Sequence, residues 1–135
     1  MKTLILFYSF SGKTKALAEQ KASELNASIE EVTEVKKPSM LGAFFSGVIK
    51  AVKRKKTAIK PIKADPANYD QIIVMAPVWA SLPAPAFNNI IEHIPSGKKV
   101  EIIMVSESGK SKSKGTIELL TARGCEVTGY SDTKA

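Results

Sequence analysis

The sequence predicts an α/β fold: a doubly wound, five-stranded parallel sheet that lacks its last helix. Three observations predict it. Short apolar runs rich in β-formers alternate with stretches of helical period, and that alternation implies a parallel sheet with helices on both faces. The runs are continuously apolar, as strands buried on both faces are. The chain stops where a fifth helix would begin.

The first run, KTLILFY over residues 2–8, is followed at once by turn residues. It is too short for a signal peptide and lacks a small-residue cleavage site, so it reads as a core strand. From Gly12 the pattern turns helical, with Leu17, Ala18, Ala22 and Leu25 on one side. A weak second strand follows around 28–32. Over 39–56, Leu41, Phe44, Phe45, Val48 and Val52 recur at helical spacing, with Ser39 as N-cap. Lys50, Lys53, Arg54, Lys55 and Lys56 crowd its last turns, where the helix dipole favours cations. Gly42 and Gly47 each weaken that helix by about 1 kcal/mol. YDQIIVMAPVW (69–79) gives a third strand running into a proline-broken loop. Residues 83–94 give a third helix with Phe87, Ile90, Ile91 and Ile94 on one face. A fourth strand with its loop covers 98–109, a fourth helix 113–123 ends at Gly124 as C-cap, and 125–131 forms the fifth strand.

A chain of 135 residues, 44% hydrophobic and 24% charged, is one ordinary domain spanning 1–135. No apolar run approaches the roughly 18 residues a membrane span needs, and a cytoplasmic protein is expected. With Cys125 and His93 the only residues of their types, no disulfide, thiolate cluster or histidine metal site is expected. Cys125 reads as a small buried residue and His93 as the exposed end of the third helix, without a catalytic role.

The net charge of +7 is concentrated. Residues 36–63 hold nine basic residues and no acidic one, leaving 11 basic against 13 acidic elsewhere. That segment suits a solvated helix face, a docking face for an acidic redox partner, or contact with an anionic membrane surface through a helix bearing Phe44 and Phe45. Nucleic acid is not expected, because no helix-turn-helix or aromatic platform accompanies the charge. Lys110, Lys112 and Lys114 form a second small cluster, solvated or able to meet the phosphates of a pyridine nucleotide.

The stretch Ser9-Phe10-Ser11-Gly12-Lys13-Thr14 lies between strand and helix. A triphosphate loop of the form G-x-x-x-x-G-K-[ST] would need glycine at position 7, which is Phe7. Nor does the third or fourth strand end in an acidic residue for magnesium. What remains is a turn of small residues, hydroxyls and backbone N–H groups at a helix N-terminus, suited to one compact anion. A phosphate monoester fits it better than a pyrophosphate, which asks for G-x-G-x-x-G; a serine-rich turn that merely caps the helix is the alternative. Ligands in doubly wound sheets sit beyond the carboxyl ends of the strands. There the loop 77–83 places Trp79 between Pro77 and Pro83, where a flat ring could stack on it.

These two loops carry a resemblance. YSFSGKTKALAE resembles the flavodoxin phosphate loop, with Ser9, Ser11, Gly12 and Thr14 at the matching positions. APVWASLPAPAFNNII resembles the first flavin-flanking loop and following helix of short flavodoxin-like proteins, and LGAFFSGVIKAVKRKK their variable second helix. The resemblance spans essentially the whole chain and implies bound FMN. Its phosphate would lie in the loop of Ser9, Phe10, Ser11, Gly12, Lys13 and Thr14. Trp79 would lie against the isoalloxazine, with Pro77, Val78, Ala80 and Ser81 and the third loop, Ser106, Glu107, Ser108 and Gly109, near its polar edge. No catalytic side chain and no metal are implied.

The departures from that family are informative. Its familiar electron carriers are acidic and place a tyrosine from the third loop on the flavin, but Ser106–Lys110 holds no aromatic. Glu107 would disfavour an anionic reduced flavin. The outer face is therefore open to a small quinone-like substrate, or covered by Phe44 or Phe45. Without the fifth helix, one sheet face around the first and fifth strands is expected to be apolar and covered by a partner, most simply in a homodimer. The implied function is an FMN-binding electron-transfer flavoprotein, either an electron carrier or an FMN-dependent oxidoreductase. The alternative is a flavin-free interaction domain acting through 36–63. A phosphate-receiving regulatory domain would need an aspartate ending the third strand, and Asp70 lies near its start.

Overall fold

A computed structural model describes residues 2–35, 58–79 and 82–134. The expected helix over 39–56, with Phe44 and Phe45 and most of the basic segment, lies outside them, as do Ala80 and Ser81. The elements are β1 (Thr3–Phe7), α1 (Lys13–Leu25), β2 (Ser28–Glu31), β3 (Gln71–Trp79), β4 (Leu82–Pro83), α2 (Pro85–His93), β5 (Lys99–Ser106), α3 (Gly115–Ala122) and β6 (Glu126–Lys134). A short 3-10 turn, Pro66–Asn68, leads into β3, with the Asp65 carboxylate accepting from the Ala67 N–H at 3.0 Å.

Five strands pair in parallel in the order β2-β1-β3-β5-β6, so the chain winds out from β1 in both directions. Alternate residues of each strand feed two cores. Leu4, Leu6, Ile72, Val74, Ile102 and Met104 pack with Phe87, Ile90 and Ile91 of α2, with Ile94 just after it, and with Leu120 of α3. Ile5, Phe7, Ile73, Met75, Ile103 and Val105 face the other way, toward Ala18 and Ala22 of α1. Burial on both faces is what made these runs continuously apolar in sequence.

Three elements differ from the sequence reading. Pro77 does not break the third strand: β3 runs on to Trp79 and turns back as β4, pairing Val78 with Pro83 and Trp79 with Leu82. The Met75 carbonyl accepts from Tyr8 N–H, so the nitrogen of Pro77, two residues on, faces the side where β1 has already ended and no donor is missed. Helix α2 consequently begins at Pro85, in its first turn, rather than at Pro83. The last strand extends to Lys134, because Ser131–Lys134 pair with Ile103–Ser106 despite their polar composition.

The expectation of an apolar sheet face is not met among the described residues. On the face shared with α1, β5 and β6 present Glu101, Gly129, Ser131 and Thr133. Glu101 pairs with Lys21 at 3.7 Å, and a Cβ on Gly129 would meet the Glu101 Cγ at 3.4 Å. The apolar residues beneath, Met75, Ile103 and Val105, are at most 6% exposed. The apolar surface on which the homodimer expectation rested is absent there, since the strand's outward positions are polar.

Candidate functional site

At the carboxyl ends of β1, β3 and β5, two loops and the last residues of β3 enclose a cleft of about 480 Å³. Ser11, Lys13 and Thr14 line one side, Pro77, Val78 and Trp79 the second, and Val105, Ser106, Glu107, Ser108 and Lys110 the third. This is the edge where doubly wound sheets place their ligands.

The first loop is organised from within by Ser9. Its buried Oγ accepts from the N–H of Gly12 at 3.1 Å and of Lys15 at 3.2 Å. Gly12 makes the turn into α1 at φ +97°, a left-handed conformation that glycine adopts without strain. The first intrahelical bond runs from Ala16 N–H to the Gly12 carbonyl. Of the four N–H groups that a helix start leaves open, Ser9 takes two. Those of Lys13 and Thr14 remain, and both residues line the cleft. Two donors, the positive end of α1, the Ser11 hydroxyl and the Lys13 ammonium thus converge on one small volume. That set can hold a compact dianion.

Trp79 forms the second wall, held edge-on by Phe10, with ring centroids 5.5 Å apart, and by Tyr8 at 6.2 Å. Tyr8 is itself anchored, its hydroxyl donating to the Glu34 carboxylate. Burial first, and then that carboxylate, push its hydroxyl pKa well above the ordinary tyrosine range.

The third wall is tied down at both ends. Ser106 Oγ and Ser108 Oγ accept from the Lys110 N–H at 3.1 and 3.3 Å, and Gly109 turns the loop at φ +73°. Behind it, Asp132 of β6 accepts from the hydroxyls of Ser111 and Tyr130. Burial, more than Asp132, raises the Tyr130 pKa against the opposing pull of the Ser111 hydrogen bond. At the mouth, Glu107 reaches across to Lys13 at 3.4 Å. Both are exposed, so this pair yields readily to another anion.

The structure thus brings Ser11, Lys13, Thr14, Pro77, Val78, Trp79, Ser106, Glu107 and Ser108 onto one cleft, as the sequence reading grouped them. Ser9, Phe10, Gly12 and Gly109 shape its walls from behind. Ala80 and Ser81 lie outside the described residues. Val105, Lys110 and the support from Asp132 were missed: the first two sit at the ends of the expected motif, and the third joins it only through the β5–β6 pairing. No group of three or more metal-ligating side chains occurs among the described residues, and no described helix is long and apolar enough to cross a membrane.

No family model and no curated protein matches the sequence. Solved structures do. A flavoprotein from Lactobacillus acidophilus, solved in complex with FMN, superimposes with a TM-score of 0.79 at 26% identity, over 96% of this chain and 91% of its own. A protein from Bacteroides eggerthii matches with a TM-score of 0.83 at 19% identity, over 96% and 86%. Oxidised flavodoxin 1 from Bacillus cereus gives 0.55 at 20% identity, over 100% and 86%. With its strand order and the loops that meet at its carboxyl edge, the chain has the flavodoxin-like fold.

Proposed function

We propose that this chain binds one FMN non-covalently and serves as an electron-transfer flavoprotein, delivering electrons to a protein or a small quinone-like acceptor. The observation that carries this reading is the cleft itself: an anion-binding helix start and an indole wall face each other across a space closed by a third loop. The donor set fits a phosphate monoester in charge and size, with the N–H groups of Lys13 and Thr14, the Ser11 hydroxyl and the Lys13 ammonium around it. The flavoprotein from Lactobacillus acidophilus, solved with FMN, supports the choice of ligand.

When bound, FMN supplies the redox chemistry. The chain's residues bind and orient it. Trp79, immobilised by Phe10 and Tyr8, offers a flat surface for stacking, and its fixed position lowers the entropy lost on binding. Lys13, now paired with Glu107, turns to the phosphate. No aromatic side chain stands in the third loop, so an acceptor has access from that side.

A visible spectrum and an FMN fluorescence titration test this. A yellow protein, or quenching that weakens roughly tenfold (about 1.4 kcal/mol) in Trp79→Ala and less in Trp79→Phe, is expected. A colourless protein that leaves FMN fluorescence untouched would refute it and favour a flavin-free interaction domain.

A further inference from the structure

Five lysines surround the third loop of the cleft. Lys13 and Lys110 line it, Lys112 and Lys114 are exposed on the same loop, and a Cβ on Gly109 would meet the Cβ of Lys134 at 3.4 Å. Two carboxylates share this region. Glu107 is paired with Lys13, and Asp132 is occupied by Ser111 and Tyr130. Lys110, Lys112, Lys114 and Lys134 form no ion pair with another described residue.

Among the described residues this clustering stands apart from the charge of the remainder. Outside 36–63 the chain has 11 basic and 13 acidic residues. The rim takes five of those basic and two of those acidic residues, which leaves six basic against eleven acidic for the remainder. With Lys60 and Lys63 included, the other described residues carry eight basic against eleven acidic, so among the described residues the net positive charge sits at the mouth of the cleft.

We infer that this rim is the docking surface for an acidic electron-transfer protein, and that docking centres on the 106–114 loop. The inference rests on the proposed FMN function. A separated charge distribution orients an oppositely charged partner during approach and can raise association rates by roughly 10–10³-fold at low salt. Among the described residues the attraction for a negative partner is strongest at the cleft. The anchoring of the loop by Asp132, Ser106 and Ser108 keeps the lysines in place, so little ordering is needed on contact. A basic partner is repelled by the same field.

The test uses the FMN-loaded protein with two one-electron probes of opposite charge: an acidic [2Fe–2S] ferredoxin and a basic c-type cytochrome. Lys112→Glu with Lys114→Glu alters the rim without touching a residue that lines the cleft. FMN fluorescence titration of wild type and variant runs in parallel. With FMN affinity unchanged, the ferredoxin rate should fall about tenfold at low salt and lose its salt dependence, while the cytochrome rate rises. Retained FMN with an unaltered ferredoxin rate overturns the inference and leaves the FMN reading intact. A ferredoxin rate that responds only to added pyridine nucleotide, which occupies the lysines in the protein's place, also overturns it. A wild type that does not bind FMN overturns both.

Discussion

Ser9 shows how one side chain can prepare a site without entering it. By accepting from both Gly12 and Lys15 it fixes the first turn of α1 and leaves the Lys13 and Thr14 donors to the cleft. Ser9→Ala is expected to cost about 1–2 kcal/mol in urea unfolding, as the loss of a helix cap does, and to weaken FMN binding as well. Gly12→Ala separates conformation from packing. No atom lies within 4 Å of the added Cβ, so the left-handed φ alone sets a cost of about 1–2 kcal/mol. Tyr8 makes a third, pH-dependent case. Its pKa is raised in the folded state, so the folded protein keeps a proton that the unfolded chain releases above about pH 10. The stabilisation is therefore complete below that pH and is lost as pH climbs further. Denaturant titrations between pH 9 and 11 should show a shallower decline for Tyr8→Phe than for wild type.

At the scale of elements, the ends matter more than the middles. Helix α3 closes in a Schellman arrangement, with Cys125 N–H reaching the Leu120 carbonyl at 3.0 Å and Gly124 N–H the Thr121 carbonyl at 3.0 Å. Gly124, at φ +87°, is also crowded: a Cβ there would stand 3.0 Å from the Ser96 Cβ. Gly124→Ala should therefore cost more than the 1–2 kcal/mol or so of conformational strain alone, and thermal unfolding of the two glycine variants side by side checks the order. This cap was legible in the sequence because glycine after a helical run has one common use. The two main buried strands were legible for a similar reason, since runs such as TLILF and QIIVM suit burial on both faces. The end of β6 was not, because Ser-Asp-Thr-Lys has no strand preference and acquires its structure from the ladder with β5. The β4 return was hidden by Pro77 and Pro83, which normally interrupt strands and are tolerated here where neighbours end. The first loop was visible as an anion site, but the bonds that Ser9 Oγ accepts from Gly12 and Lys15 were not, because composition places a hydroxyl in a turn and does not aim it.

For the molecule as a whole, the two sheet faces are closed by different means. Among the described residues α2 and α3 cover one, whereas α1 covers only the β2–β1–β3 side of the other, with a shallow groove of about 250 Å³ between it and β6. There Lys21, Glu101, Ser131 and Thr133 meet solvent above a thin apolar floor of Met75 and Ile103. Glu101 is the residue that decides this face. Its carboxylate, paired with Lys21 and lying over Gly129, makes the groove polar and denies a second copy an apolar surface. Glu101→Leu with Ser131→Leu would join Leu17, Met75 and Ile103 into one continuous patch of the kind that drives association. Sedimentation velocity across a micromolar concentration series is expected to show the double variant associating, while the wild type keeps one concentration-independent coefficient. A wild type that associates, and is returned to a single slower species by Ser131→Lys, would show that this polar face is an interface after all.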